Sequence, residues 1–378
     1  MCLECKEVAV MKRILILANS DSAIFKFRLE LIEELSKKYH IGIGIPFGQY
    51  MELIKNEKYE FFDIPINRHG LNPLEDYKLI RKYKKLIKEF KPDAMLLFTI
   101  KPNLYGSIAA KKYHIPCLCN ITGLGSALEK KGLLQKFLIQ MYRYAMRGEH
   151  TIFFQNSHGK DFFIKHGIGK ESQYCLLPGS GVNLDRFKAL PYPSDSCVRY
   201  FFVARVIKEK GIDEFLYVAR RFHEEKRNAE FHICGSCEEA YEEILKEADE
   251  NGVITYHGLV KDMREMYAKA SCIVLPSYYP EGQSNVLLEG AASGRPLITT
   301  DHPGCREAVN NIISGFLVKK KDQEDLYRKV LLVYEMPHDV QEAMGMNGRR
   351  KIEKEFDRTI VIDAYKNRLI ESEIIRHS

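Results

Sequence analysis

Residues 271–276 are Ser271-Cys272-Ile273-Val274-Leu275-Pro276, and residues 280–289 are Pro280-Glu281-Gly282-Gln283-Ser284-Asn285-Val286-Leu287-Leu288-Glu289. The first run is short and apolar, which predicts a buried parallel strand. The second run predicts a loop and then a helix that begins at Asn285, with Ser284 as its N-cap. Ligands of open α/β sheets bind where strands end, so Glu281 and Glu289 are candidate ligand-binding carboxylates.

The predicted helix start also has the chemistry of a phosphate site. The backbone N–H groups of Asn285 and Val286 would point out of the helix, toward an anion. The two glutamates, with seven residues between them, could accept hydrogen bonds from sugar and ribose hydroxyls. Two glutamates at this spacing are weak evidence for a ligand site, because both could be solvated surface charges. The other motifs of the chain are needed to choose between these two interpretations.

Strand and helix patterns alternate along both halves of the chain, which predicts βαβ units around parallel sheets. In the first half the predicted strands are 13–18, 40–45, 60–65, 93–98, 116–121, 150–154 and 173–177. In the second half they are 199–204, 230–234, 254–257, 272–275, 296–299 and 315–318. Helices are predicted at 24–37, 72–90, 103–113, 131–147, 157–166, 211–225, 238–250, 263–269, 285–293, 306–310, 323–334, 340–356 and 359–375.

A proline- and serine-containing linker, residues 190–196, separates the two halves. We predict a first domain over residues 11–189, completed by about 358–378, and a second domain over residues 190–357. Residues 1–10 precede a natural domain start and are expected to be a disordered leader.

The net charge of +6 is unevenly distributed, since residues 1–11 carry −1, residues 12–188 carry +12 and residues 189–378 carry −5. The first half is therefore expected to meet an anionic partner. The options are a diphosphate-linked substrate, an acidic membrane surface and nucleic acid, and the last is disfavoured because no recognition motif occurs. The alternative is that the basic residues are simply solvated.

Two cations stand at a position that helix electrostatics disfavours. Arg205 directly follows a predicted strand, and Lys210-Gly211 opens the next helix. Positive charge near a helix N-terminus costs free energy, so a functional demand explains the pair better than two surface charges do. Fixed cations at a strand end would stabilise negative charge on a leaving group.

Taken together, these stretches resemble the retaining GT-B glycosyltransferases of family 4, which use nucleotide-sugar donors. Residues 281–289 match the family's E-x7-E signature, residues 205–211 its R-x4-K-G diphosphate site, and residues 177–187 its segment entering the interdomain hinge. The resemblance spans nearly the whole chain from Met11. It implies an α/β GT-B fold, in which two Rossmann-like domains face each other across a cleft and the C-terminal helix crosses back to the first domain.

The resemblance also implies roles for individual residues. The catalytic residues would be Glu281, Arg205 and Lys210. The donor-binding residues would be Glu289, Asn285, Val286, Ser284, Gly282, His257 and Leu259. The acceptor-binding or cleft residues would be Gly123, Gly125, Lys101, Asn103, Arg28 and Ser20. Lys101 and Arg28 could instead pair with neighbouring carboxylates.

The implied activity is transfer of a hexose or N-acetylhexosamine from a UDP-sugar to a hydroxyl of a lipid-linked glycan in capsule, O-antigen or related glycan assembly. The UDP-sugar is a substrate, so no cofactor is expected. The sequence lacks D-x-D, H-E-x-x-H and G-x-G-x-x-G, which disfavours metal-coordinated diphosphate chemistry and a nicotinamide dehydrogenase. The ten cysteines include two C-x-x-C pairs, but no four-ligand zinc site is indicated.

The chain lacks a signal-peptide core and any apolar run long enough to span a membrane, so we expect a cytoplasmic protein. Apolar residues recur at helical spacing over residues 133–145, flanked by Lys130, Lys131, Lys136, Arg143 and Arg147. This pattern fits an interfacial helix on the anionic inner face of the plasma membrane. It fits equally well a core-packed helix with a wet basic face. The acceptor expected at that membrane is an undecaprenyl-diphosphate-linked glycan.

Two other functions remain open. A non-hydrolysing UDP-sugar 2-epimerase shares the architecture, but it would need acids and histidines placed for proton abstraction. A catalytically inactive sugar-nucleotide-binding partner is the non-enzyme alternative, and the presence of Glu281, Arg205 and Lys210 argues against it.

Overall fold

The structure is a computed structural model that describes residues 11–67, 72–148 and 150–377. The expected leader, residues 1–10, lies outside the described residues. Contacts divide the chain into two units. Unit 1 contains the residues up to Leu177 and those from Ile362 onward, and unit 2 runs from Pro178 to Val361. Unit 1 is therefore discontinuous in sequence.

Unit 1 is built on a parallel sheet. Its strands are β1 (Arg13–Leu17), β2 (His40–Ile45), β3 (Tyr59–Asp63), β4 (Ala94–Phe98), β5 (Cys117–Ile121), β6 (His150–Phe154) and β7 (Tyr174–Leu176). They are arranged in the order β3-β2-β1-β4-β5-β6-β7. The order reverses between β1 and β4, which creates a switch point where the following loops diverge.

Helices connect these strands, and short polar signals fix where they begin. They are α1 (Asp21–Phe27), α2 (Leu29–Ser36), α3 (Met51–Ile54), α4 (Pro73–Phe90), α5 (Ser107–Lys111), α6 (Gly125–Glu129), α7 (Leu133–Ala145) and α8 (Ser157–Lys165). A π-helical turn covers Pro102–Gly106, and a 3-10 turn covers Glu171–Gln173. Asn72 caps α4 by accepting a hydrogen bond from the Leu74 amide, and Pro73 occupies the first helical position.

Unit 2 repeats the design with six strands. They are β8 (Val198–Val203), β9 (Ala229–Cys234), β10 (Thr255–Tyr256), β11 (Cys272–Leu275), β12 (Leu297–Thr300) and β13 (Gly315–Val318). All pair in parallel, in the order β10-β9-β8-β11-β12-β13. The switch point of this sheet lies between β8 and β11.

The helices of the second half are α9 (Ile212–Glu224), α10 (Glu239–Glu250), α11 (Met263–Lys269), α12 (Asn285–Ala292), α13 (Gln323–Glu335), α14 (His338–Glu355) and α15 (Arg358–His377). Short 3-10 turns cover Lys208–Lys210 and Arg306–Ala308. Among the helices in the described ranges, none is both long and apolar enough to cross a membrane.

The predicted α/β class with two parallel sheets is confirmed, and the strands lie close to their predicted positions, so the differences are local. The helix predicted over 24–37 is two helices, because the chain breaks at Arg28, whose guanidinium turns inward to lie 4.5 Å from the centre of the Phe98 ring. In place of the helix predicted over 103–113, the π-helical turn Pro102–Gly106 leads into the short helix α5. The helix predicted over 306–310 is only a 3-10 turn. The short helices α3 and α6 were not predicted.

Helix α15 belongs to unit 1 from Ile362 onward, as the predicted crossing of the C-terminal helix requires. Its Tyr365 is fully buried, with ring centres 4.4 Å from Phe153 and 6.1 Å from Phe98. The hydroxyl of Tyr365 accepts a hydrogen bond from the Asn120 side chain at 2.7 Å. An element from the end of the chain thus completes the core of unit 1.

Truncation of Tyr365 tests that role. Tyr365→Ala should lower the free energy of unfolding by about 3–5 kcal/mol, because it leaves a cavity between two aromatic rings. Tyr365→Phe removes only the hydroxyl and should cost about 1–3 kcal/mol through the unpaired Asn120 amide. Urea unfolding measures both, with the half-exposed Ile370→Ala on the same helix as the control. Equal losses in Tyr365→Ala and Ile370→Ala would contradict the assignment.

Candidate active site

The loops after β8 and β11 meet at the carboxyl edge of the sheet in unit 2. The Tyr278 amide donates to the Glu209 carbonyl at 2.8 Å. Gly211 has a φ of 84°, and a Cβ placed on it would lie 2.4 Å from the Pro276 carbonyl oxygen. Only glycine fits that conformation and that contact without strain. The two loops, which carry two separate motifs in the sequence, therefore form one structural unit.

The structure brings the three predicted catalytic residues together here. The Lys210 ammonium donates to a Glu281 carboxylate oxygen at 2.8 Å, and the two side chains are only 11% and 20% exposed. The Arg205 side chain is exposed. Arg205 and Lys210 both lie near the Tyr279 ring, with 5.6 Å and 5.1 Å to its centre. Sequence reasoning missed Tyr279, although its place two residues before Glu281 was a usable signal.

A tight turn supports Glu281 from the other side. The buried Cys305 thiol lies 3.9 Å from the second carboxylate oxygen of Glu281. Burial first, and then the Glu281 carboxylate, raise the pKa of Cys305 to about 12, so the thiol stays protonated and can donate. Gly304, which precedes it, accepts from the Ser284 amide at 2.8 Å and donates its own amide to Glu307 at 2.8 Å. The turn therefore fixes both Glu281 and the start of α12.

Helix α12 begins close to the Lys210–Glu281 pair. Ser284 occupies the predicted N-cap position, but its side chain makes no capping hydrogen bond. The buried Gly282 precedes it, and Asn285 and Val286 form the first turn, whose N–H groups have no acceptor within the helix. Glu289 lies one turn further on and accepts from the buried Tyr267 hydroxyl at 3.0 Å. Burial and then the Glu289 carboxylate raise the pKa of Tyr267, so this phenol remains a donor to Glu289.

The loop after β10 reaches the same edge of this sheet. The Gly258 carbonyl accepts from the Gly235 amide at 2.8 Å. His257 lies 3.0 Å from His232, ring nitrogen to ring nitrogen, and burial lowers the pKa of both imidazoles. The pair is therefore neutral at physiological pH. Leu259 is 70% exposed and projects from the loop.

The residues predicted to bind an acceptor lie in unit 1, after its strands. Ser20 is buried after β1, where its hydroxyl accepts from the Ala23 amide and caps α1. Arg28 is buried at the break between α1 and α2. Gly123 and Gly125 follow β5 with φ of 138° and 68°, and Gly125 opens α6 instead of lying in a loop.

The other two members of this group contact protein groups. The Lys101 ammonium donates to Asp76 at 2.8 Å, and the two side chains are 11% and 13% exposed. Lys101 therefore pairs with a neighbouring carboxylate, which was the alternative to acceptor binding. Asn103 is 1% exposed and donates to the Asn120 carbonyl at 2.7 Å. Lys101 also lines a cavity of about 410 Å³ at the start of α4.

Two family models match the chain. Residues 13–156 match the model described as glycosyl transferase 4-like, and residues 198–336 match the model described as glycosyl transferases group 1. The N,N'-diacetylbacillosaminyl-diphospho-undecaprenol alpha-1,3-N-acetylgalactosaminyltransferase of Campylobacter jejuni is 27% identical over 341 residues, which covers 85% of this chain and 89% of the relative. The capsular polysaccharide biosynthesis glycosyltransferase CapM of Staphylococcus aureus is 26% identical, with coverage of 87% and 89%.

Solved structures show the same fold at lower sequence similarity. The crystal structure of HepE from Anabaena in complex with UDP and glucose aligns with a TM-score of 0.77 at 15% identity. The alignment covers 95% of this chain and 100% of HepE. Both units of the present chain are therefore included in the similarity.

Replacement of Gly211 tests the contact between the two loops. Gly211→Ala should lower the free energy of unfolding by about 1–3 kcal/mol more than Gly252→Ala, because only the first also forces a Cβ into a carbonyl. Gly252 is a matched control, since its φ is 68° and a Cβ there would meet nothing within 4 Å. Urea unfolding of both variants gives the comparison. Equal losses would show that the loops are not in the contact described.

Proposed function

Because this chain belongs to the family 4 glycosyltransferases of the GT-B fold, we propose that it is a retaining, metal-independent hexosyltransferase-type enzyme. Its donor would be a UDP-sugar carrying a hexose or an N-acetylhexosamine. Its acceptor would be a hydroxyl of a lipid-linked glycan. Unit 2 would bind the donor, and unit 1 would bind the acceptor.

The observation that carries this proposal is the Lys210–Glu281 pair, with Arg205 and the start of α12 beside it. A UDP leaving group bears negative charge on its diphosphate when the bond to the sugar breaks. Two cations and the first-turn N–H groups of α12 would neutralise that charge, which is the largest electrostatic demand of the reaction. These groups make a metal ion unnecessary in the proposed reaction.

The remaining groups of the site fit the other parts of a UDP-sugar. Glu289 is oriented by Tyr267 and would accept from the ribose hydroxyls, and the loop at His257 and Leu259 would contact the base. Glu281 would accept from hydroxyls of the transferred sugar, next to the reacting carbon. The complex of HepE with UDP and glucose, in a protein of the same fold, supports this choice of donor.

The reaction itself is a substitution at the anomeric carbon. The bond from this carbon to the diphosphate oxygen breaks, and the electron pair stays on UDP. The acceptor hydroxyl forms the new bond on the same face of the sugar and gives its proton to the leaving phosphate. In this scheme the side chains of the protein stabilise charge and position the two substrates, and none forms a covalent intermediate.

The choice of acceptor is supported by relatives of this chain. The Campylobacter jejuni relative is named for an undecaprenol-diphosphate-linked substrate, and an alpha-1,3-galactosyltransferase of Escherichia coli with 23% identity is named for another. The groups that we assign to acceptor binding or its surroundings are Ser20, Arg28, Lys101, Asn103, Gly123 and Gly125. Lys101 would have to share its ammonium between Asp76 and the acceptor.

A lipid-linked acceptor would place the enzyme at the inner face of the plasma membrane, and one end of α7 suits such a contact. Its apolar side chains Leu133, Leu134 and Phe137 are 85%, 40% and 56% exposed. Exposed lysines surround them, at positions Lys130, Lys131 and Lys136. The far end of the helix is different, because Arg143 donates to the His166 carbonyl at 2.7 Å and Leu138, Ile139 and Tyr142 are buried. Within α7, the proposed membrane contact is therefore limited to the beginning of the helix.

Removal of the two cations tests the proposed chemistry. Arg205→Ala and Lys210→Ala should each lower kcat by roughly 10²-fold, because each removes charge stabilisation that is greatest in the transition state. Lys208→Ala is the matched control, since Lys208 lies exposed in the same 3-10 turn. Initial rates of UDP release from a panel of UDP-sugars provide the measurement. Wild-type kcat in both variants would refute the assignment, and formation of an epimeric UDP-sugar without any acceptor would favour the epimerase.

Substitution of the two glutamates should change different kinetic constants. Glu289→Ala should raise the KM for the donor with little change in kcat, because ribose contacts are equally strong in the ground and transition states. Glu281→Ala should mainly lower kcat, since its contact lies next to the reacting carbon. Steady-state kinetics separate the two effects, and inhibition by free UDP checks the first. Undiminished inhibition of Glu289→Ala by UDP would show that Glu289 does not bind the ribose.

A further inference from the structure

A fully buried arginine lies just beyond the end of α12. The Arg295 side chain is 0% exposed, and within the described part of the chain it hydrogen-bonds only to two backbone carbonyls. Burial lowers the pKa of Arg295 to about 10, so the guanidinium still carries its charge at neutral pH. A buried charge without a carboxylate partner is costly, and an apolar side chain would fill the same space at lower cost. The presence of the charge therefore calls for an explanation.

The two carbonyls belong to segments that are far apart in the sequence. Nε of Arg295 donates to the Tyr267 carbonyl and Nη2 donates to the Pro191 carbonyl, both at 2.7 Å. The amide of Arg295 donates to the Gly290 carbonyl at 3.0 Å. This one residue thus connects the end of α11, the end of α12 and the linker over residues 190–196.

The carbonyl of Tyr267 needs a donor from outside its helix. It lies in the last turn of α11, where backbone carbonyls have no amide partner within the helix. The Ser271 amide, which would continue the helical pattern, donates to the Arg199 carbonyl at 2.9 Å instead. The guanidinium supplies the missing donor and places positive charge at the negative end of the helix dipole. Arg295 therefore fixes the part of α11 that carries Tyr267.

The side chain of Tyr267 extends from this fixed position to Glu289. Its buried ring lies edge-on to Phe187, with 6.2 Å between the ring centres, and its hydroxyl donates to Glu289 at 3.0 Å. We propose that Arg295 is a positioning residue for nucleotide binding, which holds Tyr267 so that Glu289 stays oriented toward the ribose. The inference rests on the proposed function, which assigns the ribose to Glu289.

Binding of UDP tests the proposal, because UDP contains the ribose and needs no acceptor. Arg295→Met keeps the length of the side chain but removes its donors. It should raise the Kd for UDP roughly tenfold, the loss expected for one hydrogen bond to a charged group. In turnover it should raise the KM for the donor with little change in kcat, because ribose contacts are equally strong in the ground and transition states. Arg295→Lys, which keeps the charge and can donate to one carbonyl, should give an intermediate Kd.

Tyr267→Phe separates positioning from general support of the fold. It should raise the Kd for UDP by a similar factor, and Arg295→Met should then add less than about twofold, because both changes act through one hydroxyl. The matched control is Gln341→Leu. Gln341 is 5% exposed, and its side chain also donates to two backbone carbonyls, those of Val333 and Met336 at the end of α13. This control should lower the free energy of unfolding and leave the Kd for UDP unchanged.

Titration calorimetry gives each Kd, and urea unfolding confirms that each variant is folded. An unchanged Kd in Arg295→Met, with weakened binding in Glu289→Ala, would overturn the inference and leave the proposed function intact. Full additivity of Arg295→Met and Tyr267→Phe would also overturn it. Absence of UDP binding by the wild type would overturn the proposed function and this inference together. Should Arg295→Met not fold, Arg295→Lys is measured in both backgrounds by the same criteria.

Discussion

Parallel strands deliver all their following loops to one edge of the sheet, and this constraint governs the candidate site. Strands β8 and β11 are direct neighbours in unit 2 but are separated by some seventy residues of chain. Their neighbourhood brings Lys210 beside Glu281 and lets Gly211 pack against Pro276. Every other contact of the site, from the Cys305 thiol to the first turn of α12, is arranged around this meeting of two loops.

The pair that results is electrostatically balanced before any ligand binds. A lysine ammonium with one tenth of its side chain exposed would be costly without a partner, and Glu281 supplies one. In the proposed reaction, an incoming diphosphate would add two or more negative charges, and the exposed Arg205 and the start of α12 would then help to offset them. The two cations thus differ in their starting state, since Lys210 is already paired while Arg205 faces solvent.

Sequence patterns predicted the parts of this molecule that depend on local order. Apolar runs located the strands to within about two residues, and the spacing of Glu281, Glu289, Arg205 and Lys210 identified the loops that the structure places at one edge of a sheet. Individual side-chain contacts between residues far apart in the sequence could not be predicted from it. The pairing of Lys101 with Asp76 and the hydrogen bond from Arg143 to His166 depend on tertiary packing.

The discontinuity of unit 1 has a consequence for synthesis of the protein. Ribosomes extend a chain from its N-terminus, so all residues of unit 2 are available once Val361 has emerged. Unit 1 begins earlier but still lacks the aromatic side chain that fills the space between Phe98 and Phe153. The nascent first unit must therefore wait, with an incomplete core, while the second is translated. The unit that is first in the sequence is the last to be finished.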